Sequence, residues 1–144
     1  MWLVKYYGIY KIIYNVMKYI KKFEHTIISL DCSNEHLIEL PHLPKNLEYL
    51  NCSYNNLTEL SELPITLEEL YYQSNNLDSL PNLPYNLLYL DISDNRLREL
   101  PILPNSLIDF NCSGNNLPYN NLREYNRWLE VNHPEVSNGK KFNI

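Results

Sequence analysis

The sequence predicts a mostly β repeat solenoid of the α/β type, in which short parallel strands stack coil upon coil, the return path is extended, and a C-terminal helix closes the end. Three observations carry this. Leucines recur with a fixed period of 20 residues, a short stretch of each unit alternates apolar with polar residues, and two columns of proline mark the rest of the unit. A fixed long period is the signature of a repeat architecture, in which each unit buries its apolar face only against its neighbours.

The columns are explicit. Leu30, Leu50, Leu70, Leu90 and Phe110 are spaced by 20, as are Leu37, Leu57, Leu77, Leu97 and Leu117, and three more columns run from Leu40, Leu43 and Leu47 to Leu100, Leu103 and Leu107. An amphipathic helix would space its leucines by about 3.6 residues; here the spacing is irregular within a unit and constant between units. In the second unit Leu50 and Cys52 alternate with Tyr49, Asn51 and Ser53, so the first pair points inward and the others outward, as along a strand. Asn55, Asn75, Asn95 and Asn115 close that strand, with Glu35 in the equivalent place of the first unit. A buried amide there is expected to donate to carbonyls of the turn and accept from the next coil's amide, satisfying groups that a tight bend orphans. Pro41, Pro81 and Pro101, then Pro44, Pro64, Pro84 and Pro104, exclude a regular helix on the return side and favour a polyproline-like path.

The unit L-x-x-L-x-C-x-x-N-x-L-x-x-L-P-x-L-P, over residues 27–117, resembles the leucine-rich repeat. The likeness is to the short 20-residue type found in bacterial secreted effectors of the YopM and IpaH kind. The resemblance implies a right-handed, curved coil whose concave parallel sheet binds proteins. Effectors of the IpaH kind add a helical ubiquitin-ligase domain with a catalytic Cys followed two residues later by Asp. The 144 residues leave no room for it, and Cys32, Cys52 and Cys112 are followed two residues later by Asn34, Tyr54 and Gly114, so the ligase activity is not expected here.

The ends differ from the repeats, because a solenoid must cover its terminal cross-sections. After Pro118, Asn121 with Glu124 resembles a capping box, and Leu122, Tyr125, Trp128 and Leu129 share a helical face up to His133-Pro134. This helix is expected to lid the last coil, or to dock a partner through its aromatics, with residues 135–144 an irregular tail. Residues 1–26 read in two ways: as a capping helix with Lys on one face, or as a degenerate first coil over 7–26 with residues 2–6 as an antiparallel flap. In the second reading Ile9, Lys11 and Ile13 face outward and leave an apolar strand edge able to pair with a second copy as a homodimer.

Charge and composition bound the function. Residues 1–26 carry +4, residues 27–117 carry -10 and residues 118–144 carry +1 of the total of -5. So acidic a repeat body repels phosphates, which argues against nucleic acid as a ligand. The stretches of residues 1–26 between lysines are far shorter than the roughly 18 apolar residues of a membrane span and also shorter than the roughly 7–15 of a secretory signal, so no transmembrane segment is expected and the chain is expected to be cytoplasmic. Three Cys without a CxxC pair read as reduced core thiols, and successive rungs are not expected to present disulfide geometry readily. The absence of Ala beside abundant Asn, Ile, Lys and Tyr points to an AT-rich source genome, such as that of a large DNA virus of protists.

Chemistry is sparse. His25, His36, His42 and His133 form no HxH or HExxH spacing, and three Gly provide no phosphate loop or nucleophile elbow. Glu68, Glu69, Asp91 and Asp94 recur at outward repeat positions, where a solvated face is expected. No enzyme, catalytic residue, metal or cofactor is therefore expected. The remaining candidate is the outward face of the sheet, where Asp31, Tyr49, Asn51, Glu69, Tyr71, Tyr89, Asp91 and Asp109, with Asp94 beyond the strand, form an acidic, tyrosine-bearing surface. Its fifteen positions, including the column Ser33, Ser53, Gln73, Ser93 and Ser113, hold no Lys or Arg, so the expected partner is a protein with a basic surface, for instance a host protein.

Overall fold

The computed structural model describes residues 28–40, 42–60 and 62–137. The two readings of residues 1–26, the dimerising edge at Ile9, Lys11 and Ile13, and the tail beyond residue 137 lie outside the described residues. Five strands, β1 (Ser29–Asp31), β2 (Tyr49–Asn51), β3 (Glu69–Tyr71), β4 (Tyr89–Asp91) and β5 (Asp109–Asn111), form one sheet in chain order. Each neighbouring pair is parallel and offset by one period, so that Leu30, Leu50, Leu70, Leu90 and Phe110 stand in register. The chain is a leucine-rich-repeat solenoid with its parallel sheet on the concave side.

Strands three residues long are held by bonds that outrun them. Cys52 N–H donates to Tyr71 O at 2.8 Å and Tyr54 N–H to Gln73 O at 2.9 Å, and the equivalent bonds recur from coil to coil. A second ladder runs past the bend, where Asn56, Asn76, Arg96 and Asn116 each donate a backbone N–H to Leu37, Leu57, Leu77 and Leu97 of the coil before. Between these ladders the chain bends left-handed at one repeating position: φ is 59° at Asn34, 57° at Tyr54 and Ser74, 54° at Asp94 and 69° at Gly114. A Cβ at Gly114 would also run into the Asp94 side chain, so close approach favours glycine at a bend where the earlier coils carry Asn34, Tyr54, Ser74 and Asp94. Among the described residues the return segments contain neither helix nor strand, as the proline columns dictate.

The asparagine column forms a side-chain ladder, with one correction to the expected pattern. Asn75 donates to Cys52 O at 3.0 Å and Tyr72 O at 3.2 Å, and its Oδ1 accepts the N–H of Leu57 at 3.0 Å. Leu57 belongs to the preceding coil, not the next. Asn55, Asn95 and Asn115 repeat this backward reach onto Leu37, Leu77 and Leu97.

Inside the coils Leu47, Leu50, Leu57, Leu67, Leu70, Leu77, Leu87 and Leu97 are fully buried, each contributing about 2–3 kcal/mol of apolar transfer. Tyr72 stands in the column of Cys52 and Cys112, fully buried, and its hydroxyl reaches Glu59 O at 3.1 Å on the return segment. Burial also corrects two sequence expectations. Cys32 is only half-buried, because its rung is the outermost of the described sheet. Ser53 and Ser93, read as outward, are 2% and 6% exposed, tucked under their own turns.

The C-terminal end is closed as expected. Helix α1 (Leu122–Asn132) begins at the N-cap Asn121, whose side chain accepts the N–H of Glu124 at 3.0 Å. The Glu124 carboxylate returns to Asn120 N–H at 2.9 Å, one residue earlier than in the usual capping box, which holds that carboxyl below its ordinary range. Before the helix the chain pairs antiparallel with β5 at Asn111 and Asn121, covering that sheet edge. Tyr125 and Leu129 are buried and Tyr125 meets Phe110 edge-on, so the helix lids the last coil. Residues 134–137 are not irregular: proline, suited to a first helical turn, starts a short helix α2 (Pro134–Ser137), with His133 O accepting from Val136 and Ser137.

The ladder makes a direct prediction. Asn75→Ala leaves the buried N–H of Leu57 without a partner and removes one of the two amide donors to Cys52 O and to Tyr72 O, which keep those of Asn55 and Asn95, and should cost about 2–3 kcal/mol. Asn76→Ala, whose side chain accepts from exposed Arg96, should stay within about 0.5 kcal/mol. Urea unfolding checks both, and equal midpoints for the two variants would refute the stapling role of the column.

Candidate functional site

Eight of the nine sequence-derived candidates lie on the strands, where the fold gathers them into two parallel rows. Tyr49, Glu69, Tyr89 and Asp109 stand in register in one row, and Asp31, Asn51, Tyr71 and Asp91 in the other. Their positions follow from the pleat: the middle residue of each strand points inward, so its two flanking residues share the concave face. Asp94 is not among them. It occupies the left-handed bend and is exposed at the rim of the sheet.

Within the second row most side chains turn back on their own backbone. Asp31 accepts the N–H of Ser33 at 2.9 Å, Asn51 that of Ser53 at 3.1 Å, Asp91 that of Ser93 at 2.9 Å and Asn111 that of Ser113 at 3.2 Å. The hydroxyls of Ser53, Ser93 and Ser113 donate to the same oxygens, which explains why Ser53 and Ser93 are buried. These are side-chain-closed turns, formed because Asp and Asn place an acceptor two residues ahead of a backbone donor. The other carboxylate oxygen reaches along the row: Asp31 accepts from Asn51 at 3.4 Å and Asp91 from Asn111 at 3.2 Å. The backbone N–H of Ser33, then its hydroxyl, hold the Asp31 carboxyl below its usual range, so it stays ionised.

The central rung departs from this pattern. Tyr71 and Gln73 replace the Asx and Ser, no such turn forms, and Gln73 Oε1 is buried without a hydrogen-bond partner among the described residues. Tyr71 instead donates its hydroxyl to Glu69 Oε2 at 3.1 Å and leans on Tyr49, ring centroids 5.6 Å apart at 44°. Partial burial, then the hydrogen bond to Glu69 and its charge, push the Tyr71 phenol up to about 12. Burial, then the Asp31 charge, raise Tyr49 as well. Glu69, Tyr49 and Tyr71 thus form one contiguous patch flanked by the carboxylates of Asp31 and Asp91.

Sequence reading missed the rim. Tyr54 is 58% exposed in the left-handed bend beyond β2, a place that Asn34, Asp94 and Gly114, residues suited to that conformation, would have revealed as a turn column. Among the described residues no group of three or more His, Cys, Asp and Glu is arranged to hold a metal ion, and no helix is long and apolar enough to cross a membrane.

The electrostatics give a titration test. Because Tyr71 holds its proton more tightly folded than unfolded, its contribution to stability is fully present below about pH 10 and is lost as pH rises through 10 toward 12. Urea midpoints should therefore fall across that window, less steeply for Tyr71→Phe. Glu69→Gln should lower the Tyr71 titration midpoint read by NMR; a midpoint unmoved by that change would remove Glu69 from the account.

Comparison with known proteins gives the same architecture. No family model and no curated protein matches the chain. Among solved structures it is similar to YopM from Yersinia enterocolitica WA-314, at 45% identity and a TM-score of 0.60 over 60% of this chain and 19% of that one. A Shigella effector LRR domain matches at 42% identity and a TM-score of 0.64 over 69% of this chain and 44% of that one. YopM from Yersinia pestis matches at 41% identity and a TM-score of 0.59 over 60% of this chain and 25% of that one. The chain thus spans less than half the length of each of these proteins. With its 20-residue period, one-period parallel register and asparagine ladder, it is a leucine-rich-repeat solenoid of the short type, similar to the repeat domains of these bacterial effectors.

Proposed function

We propose that this chain is a non-enzymatic protein-interaction module whose concave face binds a basic surface of a partner protein. The observation that carries the reading is the Tyr49–Tyr71–Glu69 patch, set in a face without Lys or Arg and bordered by Asp31, Asp91 and Asp109. Tyrosine rings supply large contact area at the cost of few torsions, and neighbouring carboxylates suit an Arg or Lys laid across the rings. Tyr89 and Asn51 extend the patch along the two rows, and Asp94 with Tyr54 lines its rim. The likeness to effector repeat domains supports a protein partner, and a host protein is the kind that such a domain would meet.

Affinity capture with mass spectrometry supplies the partner, and variants then locate its site. Tyr49→Ala with Tyr71→Ala should raise the dissociation rate by about 30-fold or more, the effect of removing central aromatic anchors of about 2 kcal/mol or more. Asp91→Lys should mainly slow association and weaken its dependence on salt, because opposite charges steer encounter. Binding indifferent to both changes would place the site off the concave face.

A further inference from the structure

Cys32 and Cys52 follow β1 and β2 at equivalent places, each one residue beyond the register pair of Asp31 and Asn51. Neighbouring strands hold equivalent Cα atoms about 4.8 Å apart, inside the roughly 4.4–6.8 Å that a disulfide spans. Both side chains leave the same face of the sheet, both are free thiols, and their Sγ atoms lie 3.0 Å apart, closer than two unbonded sulfurs ordinarily rest. Sequence reading did not anticipate this contact between the thiols of successive rungs. We infer that Cys32 and Cys52 form an oxidisable dithiol, a modification site at which a low-molecular-weight disulfide such as oxidised glutathione closes a bond between the first two rungs of the described sheet.

Access sets the order of events. Cys32 is half-buried and Cys52 fully buried, so Cys32 meets the oxidant first. Its sulfur bonds to one sulfur of the small disulfide, whose S–S bond breaks; the departing sulfur takes the Cys32 proton and leaves as a thiol. Cys52 then attacks the Cys32 sulfur of the mixed disulfide, and its proton goes to the second departing thiol. Two protein thiols are oxidised to one disulfide and one small disulfide is reduced to two thiols. Contact with Cys32, then burial, favour the protonated form of Cys52, so the second step relies on the sulfur already standing in contact rather than on a preformed thiolate. Cys112 provides an internal contrast. It lies in the same column but next to Ile92, is fully buried, and donates to Tyr119 O at 3.4 Å. The bridge would tie together the rungs that carry Asp31, Tyr49 and Asn51, and constrain the unfolded chain across that coil.

The test uses the full chain, reduced, folded and then treated with oxidised glutathione before acid quenching. Intact mass should fall by about 2 Da, the two hydrogens lost on disulfide formation. Peptide mapping should join Cys32 to Cys52 and leave Cys112 free, and the melting temperature should rise reversibly with removal of reductant. Cys52→Ser should instead retain one glutathione on Cys32, for want of a resolving thiol, and Cys112→Ser, which leaves the pair intact, should oxidise as the wild type does even if Cys52→Ser does not fold. A folded chain that keeps three free thiols under excess oxidant overturns the proposal. So does one that stops at a glutathione adduct on Cys32, or that bridges through Cys112 or between two chains.

Discussion

An amide side chain carries two N–H donors and an oxygen with two lone pairs, and the stack depends on having one at the same point of successive coils. Asn75 uses these groups on Cys52, Tyr72 and Leu57, so a single side chain closes its own bend and ties it to the coil before. Aspartate has the shape but nothing to donate, and serine lacks the reach. The backbone groups served are buried, and leaving them without partners would cost more than the bonds return when made. Each coil is therefore completed by the one that follows it. This coupling is why a coil whose strand is only three residues long has a defined conformation at all.

Much of this was legible because the constraint repeats. The leucine columns placed the core and the register, the prolines kept helix from the return side, and Asn121 with Glu124 marked the start of the cap. What escaped was directional or torsional. A column of identical asparagines looks the same whichever neighbour it reaches for, so the preceding coil could not be told from the next. Alternation assigned Ser53 and Ser93 to the outer face, but their burial comes from Asn51 and Asp91 folding over them, a local hydrogen-bond choice that alternation does not encode. Sharing a column brought Cys32 and Cys52 to adjacent rungs; their contact depends on side-chain torsions. Pro134 read as a stop because proline ends helices, yet it also begins them.

The concave face was legible in its membership and not in its chemistry. Asp31, Asn51, Asp91 and Asn111 commit one oxygen to their own turns, which lowers their freedom and leaves one side of each group directed along the row. The central rung is the exception, with an aromatic where its neighbours carry Asx and, at Gln73, a buried amide oxygen that has no partner among the described residues. The middle of the sheet is consequently the least self-satisfied part of the face, and its tyrosines are positioned by each other and by Glu69 rather than by the backbone.

The left-handed bend shared by Asn34, Tyr54, Ser74, Asp94 and Gly114 restricts how such a chain can change length. Between the strand and the leucine after the asparagine, each residue is either in a ladder or in the bend, and a single insertion there would misalign both ladders with every later coil. The return segment is looser, but its leucines and prolines still have to meet the next strand in phase. Removal or duplication of one whole period leaves all registers unchanged, so the natural unit of variation in this architecture is the coil rather than the residue, and the length of the face scales with the number of coils.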